Sequence, residues 1–347
     1  MSRKLASIQR IWKIEPIEGA DRIELAYVLG WQCVVNKDKF KIGDLAVYFE
    51  IDSFLPIRPE FEFLRNSSYK NSEILGEGFK LKTQKFRGQI SQGLLLPVSQ
   101  FPEISNDIEL GADVTEILSV RKWEIEERIT TGGTIVGTLP YGVPHTDETR
   151  VQAMPDLINE FANIEYYIST KVDGSSHSIG VDENGVHITG HNYEYKDDGK
   201  SSFYNLVNER NYKEIITAFK EREGLDTFVI QGELCGAGIQ QNRLKLKKPE
   251  WYVFTIIENG KRVGLNRMLD ICRELGLVNV PIEEVDSDLP SKYPTVESLL
   301  ERADGEYHNG GKKEGIVIRP IKPVYSKTIG AELSMKVVNN KYLLKNE

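Results

Sequence analysis

Residues 166–178 read YYISTKVDGSSHS, a β-branched run carrying one lysine, Lys171, just before an Asp173-Gly174 pair. Such a lysine could simply be solvated beside a hairpin turn, since β-branched residues favour strands and Asp-Gly turns at low steric cost. It could also do chemistry, because an amine becomes a nucleophile once it loses its proton. A free lysine, with a pKa of about 10.4, is almost wholly ammonium at neutral pH. Lys-x-Asp-Gly arises by chance in roughly one chain of this length in fifteen, so the tetrapeptide alone decides nothing. What adds weight is an ordered series downstream, each member at the edge of a strand-like run. The series is HNYEYK at 191–196, IQGELCG at 230–236, WYVFTII at 251–257, KEGIVIRP at 313–320 and LSMKVVNNKYLLK at 333–345. It supplies two further acids, Glu233 and Glu314, an aromatic ring, Phe254, and a second cation, Lys336.

These residues need a scaffold, and the pattern of the chain divides it in two. Up to about residue 118 the runs RIELAYVLGWQCVVN, DLAVYFEID and QGLLLPV alternate apolar positions between Gly, Asp and Pro with almost no helical periodicity. That reads as an N-terminal β-barrel of OB type, residues 1–118. Residues 119–140, rich in Gly, Thr and Pro towards their end, read as a linker or mobile loop. From 141 to 347 strands and helices mix. A strand from Ile164, a turn at Asp173-Gly174, a second strand through Ile179 and Val181, a turn at Asn184-Gly185 and a third strand VHITG read as a meander. NYKEIITAFKERE puts Ile215, Ile216 and Phe219 on one helical face, RMLDICRELG ends in a helix-stopping Gly276, and TVESLLERA opens on a Thr295 cap. With strands returning at TFVIQGEL, WYVFTII and GIVIRP, the expectation is a mainly antiparallel α+β domain.

Composition sets the outer limits. The 347 residues, 40% hydrophobic and 28% charged, suffice for two domains, each with its own core. A formal net charge of −8 argues against general affinity for polyanions, while leaving room for a local basic groove. Cys33, Cys235 and Cys272 have neither metal-ligand spacing nor an even-numbered framework, so they read as reduced packing residues of an intracellular protein, cytoplasmic or nuclear. The opening residues do not resemble a signal peptide and no apolar run is long enough to span a bilayer, so no membrane partner is expected. His177, His187 and His191 lack ligand spacing and read as strand histidines with satisfied partners.

The ordered motifs resemble those of the covalent nucleotidyltransferase superfamily of ATP-dependent ligases and capping enzymes. Within it the chain looks like the RNA ligases of family 5, in which an OB domain precedes the nucleotidyltransferase domain, and the likeness covers nearly the whole chain. The resemblance implies an antiparallel α+β adenylyltransferase domain, an ATP-grasp-like ligase nucleotidyltransferase fold. It also implies an enzyme that seals 3′-hydroxyl and 5′-phosphate RNA ends, chiefly nicks in duplexes, and a monomer is expected. Lys171 would attack ATP and become a lysyl-AMP. Arg150, Thr170, Gly174, Ser176, Asn192, Glu233, Phe254 and Lys336 would bind the nucleotide, with Phe254 stacked on adenine and Lys336 on the α-phosphate. Asp173, Glu233 and Glu314 would hold Mg²⁺ or Mn²⁺. Three acids beside the lysine would by themselves keep it protonated, so a divalent cation among them belongs to the same expectation.

One position departs from the family. The last motif usually carries two lysines separated by one residue, whereas this chain has Ser334-Met335-Lys336, with Lys327 or Lys341 as substitutes for the missing charge. Two basic stretches are candidate RNA contacts. The first is FKLKTQKFRGQISQG, with Lys80, Lys82, Lys85 and Arg87 interleaved with Phe79 and Phe86, and the second is RLKLKK at 243–248. A hairpin edge protected by lysines is the plain alternative for the first. For the chain as a whole the alternatives are a DNA ligase, a capping guanylyltransferase, or a non-catalytic RNA-binding protein on the same scaffold.

Overall fold

The computed structural model describes residues 3–105, 107–123 and 133–346. The chain separates into two compact units, one of Met1–Ile125, Gln152–Pro155 and Leu343–Glu347, the other of Glu126–Val151 and Asp156–Tyr342.

In the first unit the alternating runs become short antiparallel strands. Leu45–Phe49 pairs with Ala6–Arg10 on one side and Leu94–Pro97 on the other. Lys13–Pro16, Ile23–Val28 and Trp31–Asn36 form a meander, and Arg121–Lys122, Ser53–Leu55, Gly76–Lys80 and Tyr69–Ser72 form a third sheet. These are OB-like sheets, but among the described residues they do not close into the expected barrel. Between the meander and the residue stretch leading into Leu94–Pro97 there is a backbone bond, from Gln92 N–H to the Gln32 carbonyl at 2.9 Å, in place of a continuous ladder. Inward residues Ile8, Val47, Phe49, Leu55, Phe61, Phe79 and Phe101 make the core.

The second unit holds two antiparallel sheets. The larger runs Thr134–Thr138, Tyr193–Lys196, Gly185–Thr189, Ser175–Asp182, Phe228–Cys235, Glu250–Glu258 and Lys261–Arg262 in spatial order, and Val278–Asn279 adds a parallel pairing to Glu250–Glu258. The smaller runs Ile282–Ser287, Glu165–Lys171, Gly315–Pro320 and Met335–Val338. Asp173-Gly174 is therefore not the hairpin turn expected. The strand before it pairs only within the smaller sheet and the strand after it only within the larger, so the chain crosses between sheets there. The Asn184-Gly185 turn does join neighbouring strands. Within the stretch read as a linker, Arg121–Lys122 and Thr134–Thr138 are strands in sheets, and 124–132 lie outside the described residues.

Helices cover the larger sheet. Tyr212–Arg222 buries Tyr212, Ile216 and Phe219, with Ile215 only half-buried, and Leu265–Leu275 buries Leu265, Met268, Ile271 and Cys272. These meet Phe203, Phe228 and Trp251 in one core, where each fully buried side chain contributes about 1.5–3 kcal/mol. Val296–Ala303 starts in a capping box, Thr295 Oγ1 accepting from Ser298 N–H at 3.2 Å. No helix of the described residues is long and apolar enough to cross a membrane. Gly276 ends Leu265–Leu275 at φ 65°, a left-handed conformation that a Cβ disfavours. Gly276→Ala should lower the unfolding free energy by about 1 kcal/mol in urea titration, because alanine cannot take that conformation without strain.

Candidate active site

Lys171 is the last residue of its strand and pairs with Gly315, so Glu314 stands at its shoulder and the two side chains meet, Nζ to Oε1 at 2.7 Å. From there the crossing through Asp173-Gly174 leads into Ser175–Asp182, where Ser176 is in register with Glu233 on the neighbouring strand. A Cβ on Gly174 would lie 2.3 Å from the Leu234 carbonyl oxygen and 2.8 Å from Cys235 Sγ. Only glycine lets the crossing run so close to the strand that carries Glu233. Phe254 is aimed by a β-bulge. Gly232 pairs with Val253 and Gln231 with Thr255, which leaves Phe254 as the extra residue of its strand. Bulges commonly redirect a side chain beside a site.

The two sheets thus enclose a cleft of about 300 Å³ whose lining includes Lys171, Gly174, Ser176, Glu233, Phe254 and Lys336. Thr170 also borders it, but its hydroxyl is turned onto Glu283 at 2.6 Å, so the expected nucleotide contact is not available to that group as it stands. Alternation along the strand explains this, since Lys171 takes the opposite face. Arg150 and Asn192 are outside the lining; Arg150 bridges to Lys336 through the backbone, and Asn192 adjoins His191, which does line the cleft. Thr146, Glu148, His191 and Arg319 are lining residues that sequence reasoning missed. His191 accompanies Thr146 at 3.3 Å and Asp147 at 3.5 Å, while His177 is buried against Phe203 with ring centroids 4.5 Å apart, and burial pulls its pKa down to about 4.

Where the first lysine of the last motif is missing, Ser334 and Arg319 form a buried polar knot with Glu148. Ser334 Oγ and Arg319 Nη2 both donate to the Glu148 carboxylate, and Arg319 Nη1 donates to the Phe254 carbonyl at 2.6 Å and to Thr255 Oγ1 at 3.0 Å. Lys327 and Lys341 do not line the cleft, and Lys341 pairs with Asp304. The RLKLKK segment also departs from expectation. Arg243 Nε pairs with Asp173 Oδ2 at 3.0 Å, and Lys245 donates to the Asn309 carbonyl at 2.9 Å. In the first unit, Phe79 is buried and Lys80 lies 5.2 Å from the Trp123 ring. Lys82 is half-buried, and Lys85, Phe86 and Arg87 are exposed at the tip of the hairpin formed by Gln84–Phe86 and Gln89–Ser91.

Charge dominates the cleft. Burial alone would lower the Lys171 pKa, but Glu314, Glu233 and Asp173 outweigh it and leave it above the ordinary lysine value. Glu233 is pushed up to about 8, first by burial and then by Glu314 and Asp173, against the pull of Lys171. Asp173 also accepts from Tyr342 Oη at 2.9 Å, so both its oxygens are engaged. Among the described residues no group of three or more His, Cys, Asp or Glu side chains comes together as a metal cage. The expected trio of Asp173, Glu233 and Glu314 surrounds the lysine rather than a common point. Hard carboxylate oxygens at Glu233 and Glu314 nonetheless suit Mg²⁺ or Mn²⁺, which are commonly held by one or two carboxylates together with waters and substrate phosphates.

The raised Glu233 pKa has a consequence for stability. A carboxyl whose folded pKa exceeds its unfolded one stabilises the fold fully below the unfolded value, and the contribution disappears as pH rises through the folded value. Between about pH 5 and 9 the nucleotide-free protein should therefore lose more melting temperature than Glu233→Gln does, measured without divalent ions.

Comparison with known proteins agrees with this geometry. Residues 5–98 match an OB-fold domain family and residues 164–338 match the RNA ligase family. No curated protein matches the sequence. Among solved structures, Naegleria gruberi RNA ligase with PPi is 31% identical over 99% of each chain, with a TM-score of 0.87. A lysine-to-alanine variant of that ligase with ATP and Mn and a lysine-to-methionine variant with AMP and Mn have the same identity and coverage, each with a TM-score of 0.88. An OB-like unit followed by two sheets that close on a lysine among acids, matched over nearly its whole length, places this chain in the RNA ligase family as an ATP-dependent RNA ligase with an N-terminal OB-fold domain.

Proposed function

We propose that this ligase joins RNA 3′-hydroxyl and 5′-phosphate ends, with nicks in duplexes as its substrate, and that Lys171 carries the AMP. The observation that carries the reading is the approach of Lys171 Nζ to Glu314 Oε1, 2.7 Å, in a cleft that Phe254 and Lys336 also line. In the first step Nζ attacks the α-phosphorus of ATP, forming an N–P bond as the bond to pyrophosphate breaks and the amine gives up its proton. The RNA 5′-phosphate oxygen then takes the AMP from Lys171. Finally the 3′-hydroxyl attacks the 5′-phosphorus and AMP leaves. Each step is a displacement at phosphorus, governed by positioning and charge.

Phe254 offers its ring to adenine, and Lys336 its ammonium to the α-phosphate. Ser176, Gly174 and Glu233 border the nucleotide, while Arg150 and Asn192 support its edges. Glu233 and Glu314 would hold Mg²⁺ or Mn²⁺, with Asp173 behind them. A bound divalent ion there neutralises phosphate charge and counters the acids that keep Lys171 protonated. The solved Naegleria structures with ATP, AMP and Mn support this choice of nucleotide and metal.

In the same reading, residues 1–118 are an OB-like domain of open sheets, 119–140 join it to the nucleotidyltransferase domain at 141–347, and the protein works as an intracellular monomer. The exposed hairpin tip with Lys85, Phe86 and Arg87 suits RNA backbone charge and base stacking, with Lys80 and Lys82 at its base. An A-form strand on the 3′-hydroxyl side of a nick offers 2′-hydroxyls to recognise without base reading.

Incubation with α-labelled ATP followed by denaturing electrophoresis should label the wild-type protein and not Lys171→Ala. Retained label in that variant contradicts the assignment. Nicked duplexes with RNA on the 3′-hydroxyl side should seal faster than all-DNA nicks, and equal rates would remove the proposed preference. Replacing Lys85 and Arg87 by alanine should weaken binding to nicked RNA and reduce the slope of log affinity against log salt by about 2.

A further inference from the structure

The Lys171 and Glu314 pair is braced from behind through Glu283 and Tyr307, which lie in none of the quoted motifs. Glu283 is the extra residue of a second bulge, since Ile168 pairs with Glu284 and Ser169 with Ile282. Its carboxylate accepts from Thr170 Oγ1 at 2.6 Å, from Lys313 Nζ at 2.9 and 3.0 Å, and from Arg302 Nη1 at 2.8 Å. Thr170 immediately precedes Lys171, and Lys313 immediately precedes Glu314. One half-buried carboxylate on an outer strand therefore ties together the neighbours of both members of the pair, with Lys313 itself only 6% exposed.

A second brace works through the backbone. The Tyr307 hydroxyl donates to the Lys171 carbonyl at 2.9 Å and accepts from the Glu314 amide at 3.1 Å. The Glu314 carbonyl in turn accepts from Asn339 N–H at 2.8 Å, so both backbone polar groups of Glu314 are fixed. Tyr307 is itself buried, packed with Val172, Cys235, Leu244 and Val280.

We propose that Glu283 and Tyr307 are positioning residues for lysyl-AMP formation, holding Lys171 and Glu314 at their working separation without touching the nucleotide. This rests on the reading of Lys171 as nucleophile and adds what keeps it in place. In-line attack on phosphorus depends steeply on placement, and a misplacement of about 1 Å can cost roughly a hundredfold in rate. Two strands joined by ladder bonds alone leave their last residues free to shift. Here those last residues are the reacting ones, and the braces act at that point.

The test is single-turnover lysyl-AMP formation by the full chain at varied ATP, using Tyr307→Phe, Glu283→Gln and the double variant Glu283→Gln/Lys313→Met. Tyr307→Phe removes one hydroxyl and leaves no charge behind. Its maximal rate should fall about tenfold or more, while the ATP concentration at half-maximal rate changes less than about twofold. Glu283→Gln takes the carboxylate from buried Lys313, while Arg302 keeps Glu284 at 3.4 Å, and should lower the melting temperature as well as the rate. The double variant should recover melting temperature but stay slow, which separates positioning from folding. Wild-type maximal rates in Tyr307→Phe and in the folded double variant would overturn the proposal, as would a loss confined to ATP affinity. Lys171→Ala, run alongside, distinguishes the two levels. Label on that variant contradicts the nucleophile assignment itself, whereas an unlabelled Lys171→Ala beside fast brace variants contradicts only the bracing.

Discussion

The contact between the Lys171 ammonium and the Glu314 carboxylate at 2.7 Å is the interaction around which the second unit is organised. It presents a contradiction that the proposed chemistry has to resolve. An amine must be neutral to attack phosphorus, yet here burial, which favours the neutral form, is outweighed by three acids that favour the charged one. Glu233 carries the counterpart of that imbalance: burial first, and then Glu314 and Asp173, hold it largely protonated near neutral pH against the pull of Lys171. A nucleotide-free site of this kind is a store of unfavourable charge, suited to a ligand that brings cations with it.

Two sheets supply the parts, and irregularities in their ladders aim them. Lys171 and Lys336 come from the smaller sheet, with Glu314 just before its strand Gly315–Pro320, while Ser176, Glu233 and Phe254 come from the larger. Regular strands would send Phe254 and Glu283 wherever alternation dictates. Instead each is the extra residue of a bulge, one turned into the cleft and the other onto the back of the lysine strand. The knot of Arg319, Glu148 and Ser334 adds a third point of control, because Arg319 grips the Phe254 carbonyl while Ser334 lies two residues before Lys336. The serine that departs from the family's lysine is thus part of a buried ion-pair network that lines the same cleft.

Much of this was legible in the sequence, and the residues that were not share a cause. Helix periodicity and caps found Ile216, Phe219, Gly276 and Thr295 in their expected roles, because those features depend on local spacing. Of the residues named from the motifs, Lys171, Gly174, Ser176, Glu233, Phe254 and Lys336 line the cleft. Asp173-Gly174 looked like a hairpin turn because the dipeptide is a good one, but which sheet each flanking strand joins is decided by long-range packing. Thr170 shares a motif with Lys171, but alternation puts adjacent side chains on opposite faces and its hydroxyl meets Glu283. His191 lacks ligand spacing in the sequence, and a cleft wall built from separate segments has no spacing to read. Arg243, within a basic run that suggested RNA, turns inward to Asp173 because Leu244 and Leu246 bury the segment's apolar side. Glu283 and Tyr307 had no local signal at all.

The central claim is that the acids, and not burial, decide the charge of Lys171 in the nucleotide-free enzyme. The direct measurement is the pKa of its Nζ by NMR of lysine-labelled protein, assigned by comparison with Lys171→Ala, first without divalent ions and then with Mg²⁺ and a non-hydrolysable ATP analogue. The account predicts titration above the ordinary lysine range in the first condition and a marked fall in the second. A Lys171 that already titrates well below that range in the free enzyme would contradict it.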